Sequence, residues 1–301
     1  MRPRSRFAAI LALTVTGMVL QSSLVEAGSR RSEKKKVRPV VKTTYDASFE
    51  QVELFKGMEE GKVEAKVVCN GPHQGYVVVE NATDQPVTVK MPQSFVAVPT
   101  AVLKQFGGGL GGGGMMGGGG LGGGGLGGGG MGGGQQNTGG GLGQGGGGQF
   151  GGGGGQFGGA GGGGMGQGFF SIPPEKAIKL PYVSACLNHG KADPHPRTSY
   201  SIVSVDAYTN DPVLKELIAM VATGRLAPQA AQAAVWTRTD NLSLQQLATK
   251  FSYNSIGQKV PYFSQRELLS AQQIVTTAIG RIKERGESPV VETKPVRTSV
   301  R

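Results

Sequence analysis

GGGLGGGGMMGGGGLGGGGLGGGGMGGGQQNTGGGLGQGGGGQFGGGGGQFGGAGGGGMGQG, residues Gly107–Gly168, decides how the rest of the chain is read. The stretch is glycine broken by scattered Leu, Met, Gln and Phe. Glycine offers no side chain to pack and loses the most backbone entropy on ordering, so the tract cannot form a domain of its own. It is either the working part of a glycine-rich structural protein or an insertion within something else. Leu110, Leu121, Leu126 and Met131 are too sparse to build a core; with Phe150 and Phe157 they could serve as weak stickers. No Gly-Lys-Ser/Thr closes the tract, so its Gly-x-Gly-x-x-Gly matches do not mark a phosphate loop.

The flanks favour the insertion. Before the tract, Val63, Ala65 and Val67 alternate with Lys62, Glu64 and Lys66, the period of a half-buried strand. Tyr76 to Val79 is a second β-rich run, and the turn cluster Asn81–Pro86 leads into Val87, Val89 and Met91, which predicts a hairpin. Phe95 to Val98 predicts another strand. Four strands with one open face need partners. They are found after the tract, where Phe169–Ile172, Ile178 with Leu180, Val183–Leu187 and Tyr200–Val205 resume the pattern. The expectation is one antiparallel β-sandwich or barrel interrupted by a long disordered Gly-rich insertion. Closing a loop of about sixty residues rather than about six costs roughly 2 kcal/mol more, which a domain of this size tolerates.

Helical signals dominate thereafter. Asp211-Pro212 opens a helix with the apolar stripe Val213, Leu214, Leu217, Ile218 and Val221, ended by Gly224. Pro228 opens an Ala-rich helix from Gln229 to about Thr237. Capping boxes at Ser243/Gln246 and Ser264/Glu267 start a short helix through Phe251 and a longer one carrying Leu268, Ala271, Val275, Ile279 and Ile282 on one face. The fold class is therefore α+β: residues 47–106 and 169–208 form a β subdomain split by the insertion at 107–168, and 209–285 form a small helical subdomain. Residues 286–301 are expected to be a disordered tail.

The N-terminus looks like an address. Arg2, Arg4 and Arg6 precede the apolar run Phe7–Leu20, and Val25-Glu26-Ala27 supplies small residues for a signal peptidase, so 1–27 is expected to be a Sec-type signal peptide. A retained anchor is the alternative, although the run is short for a bilayer span of about 20 residues. No other segment is apolar enough to cross a membrane, so the mature chain is expected to be secreted, periplasmic or on the cell surface. The net charge of +11 is partly concentrated in Arg30–Lys42, inside a basic disordered linker at 28–46. That run is a solvated spacer or an attachment to an anionic envelope, polysaccharide or lipid surface. Export argues against a nucleic-acid partner.

Few residues promise chemistry. Cys69 and Cys186 both fall in predicted β segments of an exported chain. They could form a disulfide across the insertion or remain two buried thiols. The loop His189–His195 holds two histidines and Asp193 but fits no zinc spacing, and no cofactor motif is present. Neither a Ser-His-Asp set nor a paired-carboxylate constellation is visible, so an enzyme is not expected.

One further reading of Cys186 comes from its surroundings. Ala185-Cys186-Leu187-Asn188 is followed by Gln232-Ala233-Ala234-Val235-Trp236 on a predicted helix, with Asp240 just beyond. The pair of motifs resembles the surface thioester domains of bacterial adhesins, with Ala231 where that family carries Thr. It is also similar to exported glycine-rich bacterial proteins in which a Cys-Leu-x-His-Gly-Lys segment precedes a Gln-Ala-Ala-x-Trp helix. The thioester-domain resemblance implies that a β subdomain presents Cys186 and a helical one Gln232, that their side chains condense to an internal thioester, and that the thioester captures amines on a target surface. The expected function is an exported envelope or surface protein acting by binding or scaffolding, on an anionic envelope surface or another surface protein. The alternative is a matrix protein working through the glycine tract.

Overall fold

The structure, a computed structural model, describes residues 45–105, 134–143 and 168–289, all within one compact unit. The expected signal peptide, nearly all of the basic linker, most of the glycine tract and the last twelve residues of the tail lie outside the described residues.

In chain order the elements begin with β1 (Glu50–Glu53), α1 (Leu54–Glu59), β2 (Val63–Cys69), β3 (Gln74–Asn81), β4 (Val87–Lys90), β5 (Phe95–Pro99) and α2 (Thr100–Gln105). Then come β6 (Thr138–Gly141), β7 (Phe169–Ile172), β8 (Ala177–Cys186), β9 (Tyr200–Val203) and α3 (Val205–Tyr208). The C-terminal part holds α4 (Pro212–Ala222), α5 (Pro228–Thr239), α6 (Leu244–Ala248), the strands β10 (Phe251–Tyr253) and β11 (Lys259–Pro261), and α7 (Gln265–Glu284). Six strands close an antiparallel barrel in the order β2-β3-β8-β6-β5-β9. A three-stranded sheet, β1-β4-β7, lies beside it, and β10 with β11 forms a separate hairpin.

The expected α+β class and the partnership across the tract are both present: β7, β8 and β9 pair with β4, β3 and β5 respectively. The hairpin is a different one. β3 turns back on β2, with Val63 opposite Asn81 and Cys69 opposite Gly75, while β4 pairs in parallel with β1 and antiparallel with β7. The Asn81–Pro86 turn carries the chain to a different sheet because the Asn81 amide bonds Gln85 O, Ile172 O and Pro173 O. The two predicted runs at 178–187 are one ten-residue strand, since Pro181 interrupts the spacing without ending β8.

The largest correction falls within the glycine tract. Residues 134–143 are not part of an insertion: Thr138–Gly141 is the barrel strand between β5 and β8. Its glycines are required by close approach. A Cβ on Gly140 would lie 1.8 Å from Val183 O, and one on Gly139 or Gly141 would press on Ile218 or Ala222 of α4. The boundaries also move at both ends. Asp46 N–H donates to Ser171 Oγ, which docks the end of the basic linker on β7. Pro289 O accepts from Arg238 at 3.1 Å, which holds the start of the tail.

Two apolar clusters result. One fills the barrel with Val67, Cys69, Val77, Val79, Phe95, Ala97, Leu180 and Tyr182 among others. The second packs Val96, Val98, Leu187 and Val203 against α4, α5 and α7 through Leu214, Ile218, Val235, Trp236 and Ile282. β5 is buried on both faces and divides its side chains between the two, Phe95 and Ala97 to one, Val96 and Val98 to the other. α4, α6 and α7 start as predicted: Asp211 accepts from Val213 N–H, and both capping boxes are formed. The short helix α6 stops at Ala248 rather than continuing through Phe251, which instead begins β10. Glu216 of α4 accepts from Arg281 and Arg285 of α7, tying the helices together. Among the described residues no helix is long and apolar enough to cross a membrane.

Candidate functional site

Cys186 is the last residue of β8, and its position exposes an architectural gap. β3 pairs with β8 only as far as Gln74 opposite Val183, followed by Ser184 N–H donating to His73 O. Beyond that point no strand among the described residues pairs with that edge of β8. Gln232 of α5 fills the place: its Oε1 accepts from Cys186 N–H at 2.8 Å and its Nε2 donates to Cys186 O at 2.7 Å. The carboxamide thus completes the ladder with a side chain. Both residues are fully buried, and removing the amide would leave two main-chain groups unpaired, at a cost of about 1–3 kcal/mol each.

α5 continues the grip along the segment that follows. Gln232, Trp236 and Asp240 fall at i, i+4 and i+8, on one face of the helix. The His189 ring meets Trp236 edge-on with centroids 4.7 Å apart, and both Asp240 oxygens accept from His189 N–H at 3.1 Å. Lys250 Nζ lies 3.0 Å from His189 Nε2 and above the Trp236 and Tyr262 rings. From the opposite side the non-glycine residues ahead of β6 close the clasp. Leu187 N–H donates to Asn137 O, Asn137 N–H to Asn188 Oδ1, and Asn137 Nδ2 to Tyr208 Oη. Gln136 Nε2 reaches Asp193 Oδ1 at 3.0 Å. The Cys-Leu-Asn-His segment is therefore held between a helix reading it with side chains and Asn137, just ahead of β6, reading it with main chain.

Burial favours the neutral forms of Cys69, Cys186, His73, His189 and Tyr262. Burial pushes the Cys186 thiol up, helped by the negative charge of Asp193. Burial also raises Cys69, partly offset by the Tyr182 hydroxyl 3.1 Å from its sulfur. His189 is lowered by burial and then by Lys250, against the pull of Asp240. His73 is lowered by burial, and its Nδ1 has no partner among the described residues. Tyr262 is raised by burial to about 12.

Of the candidate residues, the structure brings Cys186 and Gln232 together, through the Cys186 main chain rather than its sulfur. Cys186 Sγ instead lies 3.9 Å from Pro72 O. Cys69 and Cys186 are free thiols. Cys69 stands opposite Gly75 and Gly75 opposite Tyr182, so Cys69 is two strands from β8 and aligned four residues short of Cys186. Among the described residues no group of three or more His, Cys, Asp or Glu could hold a metal. The residues that sequence reasoning missed are Gln136, Asn137 and Thr138. Their signal was available: Gln135–Thr138 is the longest run without glycine in the tract, and it is wholly polar. No protein-family model, curated protein or solved structure matches the chain.

Proposed function

We propose that this chain is an exported protein of the cell envelope or surface that works by binding and scaffolding rather than by turnover, and that Cys186 and Gln232 give it a route to covalent attachment. The observation that carries the covalent part is the placement of the Gln232 carboxamide against Cys186 in a buried junction between strand and helix. Condensation would form a bond from Cys186 Sγ to Gln232 Cδ and break the Cδ–N bond, the thiol proton leaving with ammonia. An amine on the target would then form a bond to Cδ, break C–S and regenerate the thiol. Burial excludes the water that would otherwise hydrolyse the thioester. The reaction needs the carboxamide to turn away from the Cys186 main chain, so formation competes with two hydrogen bonds and is expected to be slow.

Export is supported by Arg2, Arg4 and Arg6, the Phe7–Leu20 run and Ala27. The alternative of a glycine-rich matrix protein draws less support, because Thr138–Gly141 of the tract is a barrel strand.

Intact mass of the full mature chain tests the proposal. A thioester makes the chain lighter by one ammonia, and methylamine then adds its full mass to that lighter chain, leaving a free thiol and a chain one CH2 heavier than the unreacted form. A Cys186→Ala or Gln232→Ala chain shows neither change. A chain lighter by two hydrogens carries a Cys69–Cys186 disulfide, and an unchanged mass leaves two thiols. Either result overturns the covalent route. A mature N-terminus other than Gly28 overturns the cleavage site.

A further inference from the structure

Among the described residues the hairpin of β10 and β11 has one unpartnered face, and its composition is unusual for a surface. In the register Phe251 lies opposite Pro261 and Tyr253 opposite Lys259; these four are exposed, while Ser252 and Val260 between them are partly covered. Phe251 is 42% exposed and Tyr253 68%. Their rings meet edge-on at 5.6 Å, and Lys259 Nζ sits 3.7 Å above the Phe251 ring. The tip adds Ile256, 74% exposed, at a turn position where polar residues normally stand.

The tip is held, not loose. Asn254 Oδ1 accepts from Ile256 N–H and Gln258 N–H, Asn254 Nδ2 donates to Gln258 Oε1, and Gly257 N–H closes the turn on Asn254 O. The fold therefore displays an isoleucine, a tyrosine and a phenylalanine on a rigid projection. Such a display costs solubility unless something covers it.

Charge identifies the occupant. From Asn241 to Arg266 the sequence contains no Asp or Glu, but it contains Lys250, Lys259 and Arg266. Among the described residues Lys259 and Arg266 have no carboxylate within ion-pair distance. An aliphatic tip, aromatic rings behind it and cations at that level is the order in which a bilayer presents acyl chains, interface and anionic headgroups. Lysine also suits this arrangement, because its stem can lie in the apolar layer while its ammonium stays among the headgroups.

We propose that the β10–β11 hairpin is an interfacial wedge that seats this chain on an anionic lipid surface, with Ile256 inserted first, Tyr253 and Phe251 at headgroup depth and Lys259 paired to lipid phosphate. The wedge deepens the binding role proposed above by naming its partner, and it does not depend on the thioester. A single basic run or a single apolar tip gives marginal membrane binding, and stable attachment takes two signals. The Arg30–Lys42 run would be the second.

Co-sedimentation of the full mature chain with vesicles of phosphatidylcholine, with and without phosphatidylglycerol, tests it. The expected result is binding to the anionic vesicles, weakened by salt. A Phe251→Ser/Tyr253→Ser/Ile256→Ser variant should lose roughly tenfold or more in affinity, and Lys259→Glu at least about fivefold. These side chains are exposed, so circular dichroism should show each variant folded; a variant that is not folded is replaced by Ile256→Asp alone, for which the same loss is expected. Three results overturn the proposal: no binding to anionic vesicles, binding that the triple variant retains in full because the basic run carries it, or a tenfold loss that appears equally with a soluble anionic polysaccharide. Vesicle binding by a chain whose mass shows no thioester leaves the wedge intact and removes only the covalent route.

Discussion

β3 and β6 both hydrogen-bond to β8, one on each edge, yet β3 is Gln-Gly-Tyr-Val-Val-Val-Glu-Asn and β6 is Thr-Gly-Gly-Gly. β3 contributes by what it buries: Val77 and Val79 sit fully inside the barrel. β6 contributes by what it lacks. With no Cβ on three successive residues, α4 can lie directly on the sheet, so Ile218 and Leu187 fill the space that a side chain of Gly139 would need. A strand can therefore be specified by side chains that fill a core or by the absence of side chains that would keep a helix away. The two kinds should respond oppositely to substitution: β3 suffers when atoms are removed and β6 when they are added.

Gly140→Val is the strongest way to break that comparison. Its Cβ would meet Val183 O at 1.8 Å and Ser184 Cα at 2.7 Å, both main-chain atoms that cannot turn aside. The strand must leave the barrel or β8 must shift, so the expected loss is about 4 kcal/mol or more, a fall in melting temperature of roughly 8–16 °C for a chain of this size. Thermal unfolding followed by circular dichroism measures it. A variant melting within a degree or two of the parent would mean that β6 is not a barrel strand.

Smaller changes sharpen the contrast. Val77→Ala removes two buried methyl groups from β3 and should cost about 2 kcal/mol in urea unfolding. Gly139→Ala adds one methyl to β6 against Ile218 Cγ1 at 2.9 Å and Cδ1 at 3.2 Å. Because the contact is with a side-chain end, the cost should be about 1 kcal/mol. Ile218→Val in the same chain removes Cδ1 and should restore part of that loss, giving a favourable coupling in the double-mutant cycle. Additive losses would show that Gly139 does not face α4.

The same contrast explains what could be read beforehand. β2, β3 and β5 announce themselves because valine and alternation are the strand signal. The helices announce themselves through Asp211-Pro212, Pro228 and the two Ser capping boxes, which are local chemistry. β6 escaped because three glycines carry no hydrophobic pattern, and the information that makes them a strand lies in α4 and β8. Gln232 and Cys186 could be paired only through a resemblance. Their actual contact, carboxamide to main chain, depends on β3 ending opposite Val183, which no local pattern of β8 reveals. Turn residues point to a β3–β4 hairpin where the structure forms β2–β3, because Asn81–Pro86 carries stronger turn residues than Asn70–His73, although both turn the chain.

The smallest expected effect separates the two sides of β8 by pH. His73 marks the point where β3 parts from β8, and its folded pKa is lowered mainly by burial, with the Ser184 main chain and then Asp193 acting the other way. His189 lies on the side gripped by α5, lowered by burial and then by Lys250, with Asp240 opposing. A histidine whose folded pKa lies below the unfolded value of about 6.5 lends stability that is complete above that pH. The unfolded state binds protons first as pH falls, so the contribution shrinks below about 6.5 and is gone once the folded pKa is passed. Urea unfolding should therefore be flat from pH 8 to about 6.5 and decline towards pH 5, by no more than about 1.4 kcal/mol per pH unit for each histidine. His73→Gln and His189→Gln should each remove part of the decline. Salt distinguishes them: raising ionic strength screens the half-exposed Lys250 ammonium as well as the smaller opposing pull of Asp240 and should shrink the His189 share, while at His73 it screens only the opposing Asp193 and leaves the desolvation untouched, so that share should not shrink. Equal salt sensitivity in the two variants would mean that the Lys250 contact contributes nothing to holding His189 neutral.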